Sequence, residues 1–172
     1  SKKFTLHTRV VLTVTAALIL GGAIVFMFAE WNNSKTIGSF STFDKIVNCF
    51  FQSVTTRTAG FASFGQGDMT QISKLLSGLL MFIGGSPMSI AGGIKTTTFF
   101  ILLLILFKNQ DQNGNIIYRE KKITAKILSK AVRIALMAVS LLFIGTVLIY
   151  IFEGGNMPVA SIVYDVISAI CT

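Results

Sequence analysis

The stretch Thr55-Thr56-Arg57-Thr58-Ala59-Gly60-Phe61 has the residue types and order suited to holding a dehydrated cation. A threonine offers a hydroxyl and a carbonyl on one residue. A glycine takes up backbone angles that turn carbonyls inward, where a Cβ would obstruct them. Carbonyls so arranged replace the hydration shell of an ion in a pore loop. Thr58 and Gly60 are therefore the candidates for holding a cation. Arg57 would repel cations if it faced the path, so it is expected to point away and to pair with a carboxylate behind the strand. Thr-x-Gly alone occurs in many loops, and the surrounding chain decides its meaning.

A second candidate is Gly84-Gly85-Ser86-Pro87-Met88-Ser89-Ile90-Ala91-Gly92-Gly93-Ile94-Lys95-Thr96. Its glycines permit several backbone conformations, and Pro87 removes one backbone donor. Gly84, Gly85, Ser86, Pro87, Gly92, Gly93 and Lys95 read as a gating loop. Lys95 is a charge inside an apolar segment, a costly placement that usually serves function; snorkelling to the membrane face is the alternative. The Gly92–Thr96 stretch lacks the adjacent Gly-Lys at the spacing of a phosphate-binding loop, and no strand precedes it.

The elements that must position these residues are apolar helices. Val10–Ala29 is an uncharged run of 20 residues, long enough for a bilayer core of about 30 Å. Trp31 follows it as an interfacial anchor. Ser41-Thr42-Phe43-Asp44 fits a capping box. The helix it opens, Thr42–Val54, is about 20 Å long, too short to cross and suited to dip halfway. Its C-terminal dipole end would then face a cation. Ile72–Phe107 would measure about 54 Å as one helix, which exceeds the membrane. The glycine segment is the expected break, tolerated at membrane depth where it is buried or lines a cavity; a hairpin outside the bilayer is the alternative. Ile134–Phe152 is the next span. Gly154-Gly155-Asn156 turns the chain, Pro158 stands at the expected first helical position, and a short apolar helix runs to Cys171.

The sequence also repeats. Gly22 to Glu30 and Gly145 to Glu153 share a glycine, seven uncharged residues and a glutamate. Each is followed by a polar turn and a half-length helix ending at a threonine, Thr58 or Thr172. Thr172 is thus read as the start of the next filter strand, in a longer polypeptide.

Composition agrees with a chain built for lipid. Of 172 residues, 52% are hydrophobic and 13% charged, with a net charge of +8; the mean hydropathy is +0.72. Soluble domains carry about 25% charged residues. The positive charges gather between apolar runs, which argues against nucleic acid. Residues 108–133 hold seven positive and two negative charges, whereas 30–45 balance to zero. The positive-inside rule puts 1–9 and 108–133 in the cytoplasm and 30–45 outside. Cys49 and Cys171 read as buried free thiols. His7 sits in a basic flank, and no Ser-His-Asp set or metal-ligand cluster stands out. Enzymatic function is not expected: Val10–Ala29 offers an intramembrane hydrolase only Thr13 and Thr15.

Both motifs, in this order, resemble the Trk/Ktr/HKT superfamily of cation transporters, and within it the membrane subunit of bacterial Ktr potassium uptake systems. The resemblance covers the whole chain, as the third of four helix–pore loop–helix repeats and the start of the fourth. It implies an all-α membrane protein with re-entrant pore helices and a glycine-broken second helix. Residues 1–107 would form one repeat, 108–133 a cytoplasmic basic loop, and 134–172 the first span and pore helix of the next. It implies K+ translocation through a four-strand filter, to which Thr58, Ala59, Gly60 and Phe61 give carbonyls that bind K+ as the only metal, gated by Gly85–Gly93, in a bacterial cell membrane. The implied partners are lipid, the remaining repeats, a second copy in a homodimer and a cytosolic nucleotide-binding regulatory ring. No cofactor is implied; Na+ is possible as a coupling or activating ion. The alternatives are a Na+-coupled or less selective Na+/K+ transporter and a non-conducting structural subunit.

Overall fold

The computed structural model describes residues 5–57, 61, 63, 65–85, 92–108, 110–111, 113–118, 121–153 and 158–171. The chain opens with α1, Leu6–Glu30. Thr5 caps it, its hydroxyl accepting from the Thr8 N–H at 3.3 Å. Its 25 residues extend about 37 Å. α2 spans Thr42–Thr55, with Ser41 as N-cap. The Ser41 hydroxyl accepts from the Asp44 N–H at 3.2 Å and donates to its carboxylate at 2.7 Å, so the expected cap forms.

The apolar stretch after residue 69 does break. α3 is Gln71–Phe82 and α4 is Thr96–Phe107, each of 12 residues. Each extends only about 18 Å, half the length of α1, and both pack against α1. α2 also lies on α1, while α6, Val159–Cys171, packs between α3 and α5, Ala125–Phe152. One buried cluster joins Phe26 of α1, Cys49 of α2 and Leu80 of α3. A second joins Met81 of α3 to Ile167 and Cys171 of α6. Both cysteines are buried and unpaired.

Two departures from the sequence reading concern the basic segment. α5 is Ala125–Phe152, so it starts nine residues before Ile134, and Lys126, Lys130 and Arg133 ride on a helix and not in a loop. Hydropathy marks only the apolar residues, whereas backbone hydrogen bonding continues the helix through the charged ones. Ahead of α5 the chain forms an antiparallel hairpin, β1 Ile116–Tyr118 with β2 Lys121–Ile123, in which Ile116 pairs with Ile123. Its strands are short, and the Asn-Gly pair that would flag a tight hairpin precedes β1, so periodicity did not reveal it. Ile116 is buried with Leu104 and Leu128, and the Phe100 and Tyr118 rings meet edge-on at 5.3 Å. Pro158 precedes α6 and is not its first residue; its carbonyl accepts from Ser161 N at 2.9 Å.

Among the described residues two helices are long and apolar enough to cross a membrane, His7–Glu30 and Ala125–Phe152. The shorter apolar helices are α3, α4 and α6.

Asp111 ties the hairpin's entry. The backbone N–H of Asn115 donates to its carboxylate at 2.7 Å, as does that of Asn113 at 2.9 Å. Those bonds favour the ionised form and hold the Asp111 carboxyl below the ordinary range, the Asn115 N–H contributing most. A depressed folded value stabilises the hairpin above the ordinary carboxylate range and is lost as pH falls through the lowered value. The protection of the 110–124 backbone against hydrogen exchange, taken relative to the intrinsic rate at each pH, should therefore hold down to about pH 4 and fall below it, and Asp111→Ala should show low protection at neutral pH. Equal exchange in mutant and parent would exclude Asp111 as the tie.

Candidate functional site

The site is built at the C-terminal end of α2. This helix is inverted relative to a soluble amphipathic one. Its buried residues are Cys49, Gln52, Ser53 and Thr55, whereas Phe43, Ile46, Phe50 and Phe51 are exposed. Polar groups buried in this way need partners, and the hydroxyls find them on backbone. The Ser53 hydroxyl donates to the Ile19 carbonyl of α1 at 2.7 Å. Thr56, the C-cap, donates to the Gln52 carbonyl at 2.9 Å. Gln52 reaches Met69 Sδ at 3.7 Å.

Close approach of α1 and α2 depends on Gly22. A Cβ there would collide with Ser53 Oγ and stand 2.9 Å from Leu80 Cδ1. Gly145, its counterpart in the repeat, faces Val166 of α6, whose Cγ1 would lie 2.9 Å from an added Cβ. The sequence pattern displayed these glycines without the reason for them: each gives a half-length helix a close seat on a long one.

Thr55 ties the end of α2 to Phe61. Its hydroxyl donates to the Phe61 carbonyl at 2.6 Å and accepts from the Phe61 N–H at 3.2 Å. Phe61 itself is 70% exposed. Thr58, Ala59, Gly60 and Thr172 lie outside the described residues, as do Ser86 and Pro87.

Both ends of the 31–69 excursion meet at Glu30, which is fully buried. One carboxylate oxygen accepts from Asn33 Nδ2 and Thr36 Oγ1, each at 2.7 Å. The other accepts from the Thr70 N–H and hydroxyl, each at 2.8 Å. Thr70 is the N-cap of α3, so the carboxylate also lies at the positive end of that helix. Asn33 adds a bond to the Asp68 carbonyl at 2.9 Å. Lys45 Nζ stands 5.0 Å over the Trp31 ring and donates to the Trp31 carbonyl at 2.9 Å. Sequence reasoning had Glu30 as a repeat marker and missed the cage; the polar residues Asn33, Thr36 and Thr70 were its available signal.

The described part of the glycine segment is pinned at its base. Ile94 N donates to the Phe82 carbonyl at 2.7 Å and Thr96 N to the Gly85 carbonyl at 3.2 Å. Gly93 has φ +72°, which favours glycine. A Cβ on Gly84 would fall on the Gly92 carbonyl oxygen, and one on Gly92 would fall on the Cys171 carbonyl oxygen. Three backbones are thus stacked without side chains between them. Lys95 is the N-cap of α4. The expected carboxylate partner of Arg57 is not what the guanidinium meets: its Nη2 donates to the Gly84 carbonyl at 2.9 Å. The glycine segment therefore touches the ends of both half-length helices, α2 through Arg57 and α6 through Cys171. Among the described residues no group of three or more His, Cys, Asp or Glu is placed to hold a metal ion.

Residues 2–172 match the family described as TrkH, cation transport protein. The chain belongs to that family. With its long apolar helices it is a largely helical membrane protein of the Trk/Ktr type. Similar curated relatives include the Ktr system potassium uptake protein B of Bacillus subtilis, 34% identical over 99% of this chain and 38% of the relative. The protein of the same name in Vibrio alginolyticus is 29% identical over 97% of this chain and 36% of the relative. The potassium/sodium uptake protein NtpJ of Enterococcus hirae is 46% identical over 60% of this chain and 23% of the relative. The chain spans well under half the length of these relatives.

The Glu30 cage generates a test. Glu30→Gln turns an NH2 toward groups that are themselves donors. Each buried donor left unpaired should cost about 1–3 kcal/mol, read as a lower unfolding temperature of the full polypeptide in detergent. An unchanged unfolding temperature would show that the cage does not hold the excursion.

Proposed function

We propose that this chain supplies one complete helix–pore loop–helix unit, residues 1–107, and the start of another, residues 134–172, to a K+ path across a bacterial cell membrane. Thr58, Ala59, Gly60 and Phe61 present carbonyls from one filter strand, and Thr172 begins the next. A cation there exchanges water for carbonyls, with the C-terminal dipole ends of α2 and α6 aimed toward it. The observation that carries the reading is the convergence of those two helix ends on one glycine segment. Residues 85–93, with Lys95 at their edge, act as the gate. Among the described residues, Gly85, Gly92 and Gly93 form the hydrogen-bonded, closely packed base of that segment.

The remaining repeats, a second copy and a cytosolic nucleotide-binding regulatory ring complete the assembly. Residues 1–9 and 108–133 face the cytoplasm, where the basic segment meets that ring, and 30–45 face outside. A second reading, transport that also uses Na+, is favoured by the likeness to a protein named a potassium/sodium uptake protein.

Gly60→Ser is expected to weaken K+ over Na+ discrimination while the protein still assembles, since a side chain alters carbonyl geometry at one strand. Reconstituted flux of the full polypeptide gives the permeability ratio; an unchanged ratio would remove Gly60 from the filter. Deleting residues 86–91 should raise K+ flux. An assembled deletion variant with flux at or below the parent's would make the segment a connector and not a gate.

A further inference from the structure

We infer that Arg57 is a positioning residue that latches the end of the first pore helix to the base of the glycine segment, so that ion selection and opening are coupled. The inference rests on the gate reading above. Arg57 follows directly from α2, its N–H donating to the Val54 carbonyl at 3.2 Å. Its backbone is therefore an extension of the helix end that leads into Thr58. Its side chain crosses to Gly84, 27 residues on in sequence, and donates to that carbonyl at 2.9 Å. Nε is buried without a partner among the described residues. A guanidinium with a buried unpaired donor and a neutral carbonyl acceptor gains less than one facing a carboxylate. Such a contact can be broken and remade, unlike a closed ion pair.

The acceptor is equally constrained. Gly84 has no room for a Cβ because the Gly92 carbonyl lies against it, and Gly92 in turn has none because of Cys171. Displacement of Gly84 therefore moves along two lines: through Arg57 to the first filter strand, and through Gly92 to the end of α6. Sideways movement of the segment pulls on Arg57, and release of Arg57 frees one side of the segment. A positive charge held away from the ion path by this carbonyl is also kept from repelling cations. Loss of the latch should loosen the gate and degrade selectivity together.

The test uses the full polypeptide in liposomes, with Met88→Cys as a reporter on the segment and labelling by a membrane-impermeant thiol reagent. Arg57→Gln should speed labelling of that reporter about tenfold, equivalent to about 1.4 kcal/mol, and should lower the K+/Na+ permeability ratio. Arg57→Lys, which keeps the charge but not the fork, should restore part of both. In the 86–91 deletion, Arg57→Gln should add little further flux. Labelling and ion ratio unchanged in assembled Arg57→Gln would overturn the latch, and so would a flux increase that adds in full to that of the deletion. Should Arg57→Gln fail to assemble, Arg57→Lys decides by the same two readouts. If the deletion fails to raise flux while Arg57→Gln still speeds labelling and lowers the ratio, the gate reading falls and the latch stands.

Discussion

The fully buried carboxylate of Glu30 is the constraint on which the rest of the arrangement depends. It stands at the end of a helix long enough to cross a membrane and accepts four hydrogen bonds from neutral donors. Two come from the turn that starts the excursion toward α2, and two from the N-cap that starts α3. The ends of a segment nearly forty residues long are thereby brought to one point. A charge buried without such donors would be costly; with them, and at a helix N-terminus, it becomes a fixed anchor. α2 can then descend beside α1 and the chain can return, because both descents share the same origin.

Backbone proximity carries that geometry inward. Gly22 lets α2 settle against α1, and the Ser53 hydroxyl uses the closeness to reach an α1 carbonyl. Gly84, Gly92 and the Cys171 carbonyl then stack with no side chain between them. At each place glycine serves contact and not looseness. The same residue type thus does two jobs along this chain: it removes bulk at Gly22, Gly84, Gly92 and Gly145, and it supplies positive φ at Gly93 and Gly114.

α2 is turned inside out because of where it works. Its hydroxyls and amide face the protein, and its phenylalanines face outward. In water that pattern would be unstable. In a bilayer, or against further apolar helices, the outer face is already in its preferred solvent and the buried hydroxyls contribute hydrogen bonds. Membership of the TrkH family accords with that environment.

Much of this was legible in the sequence. Uninterrupted apolar runs indicated α1 and most of α5, since span length follows from bilayer thickness and helical rise. Ser41 marked the start of α2, and the paired glycines marked where α3 must stop and α4 begin. These are local signals, read within a few residues of the structure they specify. What remained hidden was long-range. Arg57 reaches an acceptor 27 residues away, Glu30 accepts from a donor 40 residues away, and Gly22 meets a neighbour on another helix. Repulsion between Arg57 and a cation path suggested a carboxylate partner behind the strand, yet the fold brought a carbonyl there, because the glycine break exposes backbone acceptors that a continuous helix would consume. Periodicity states which residues want burial; only the packed helices decide what they are buried against.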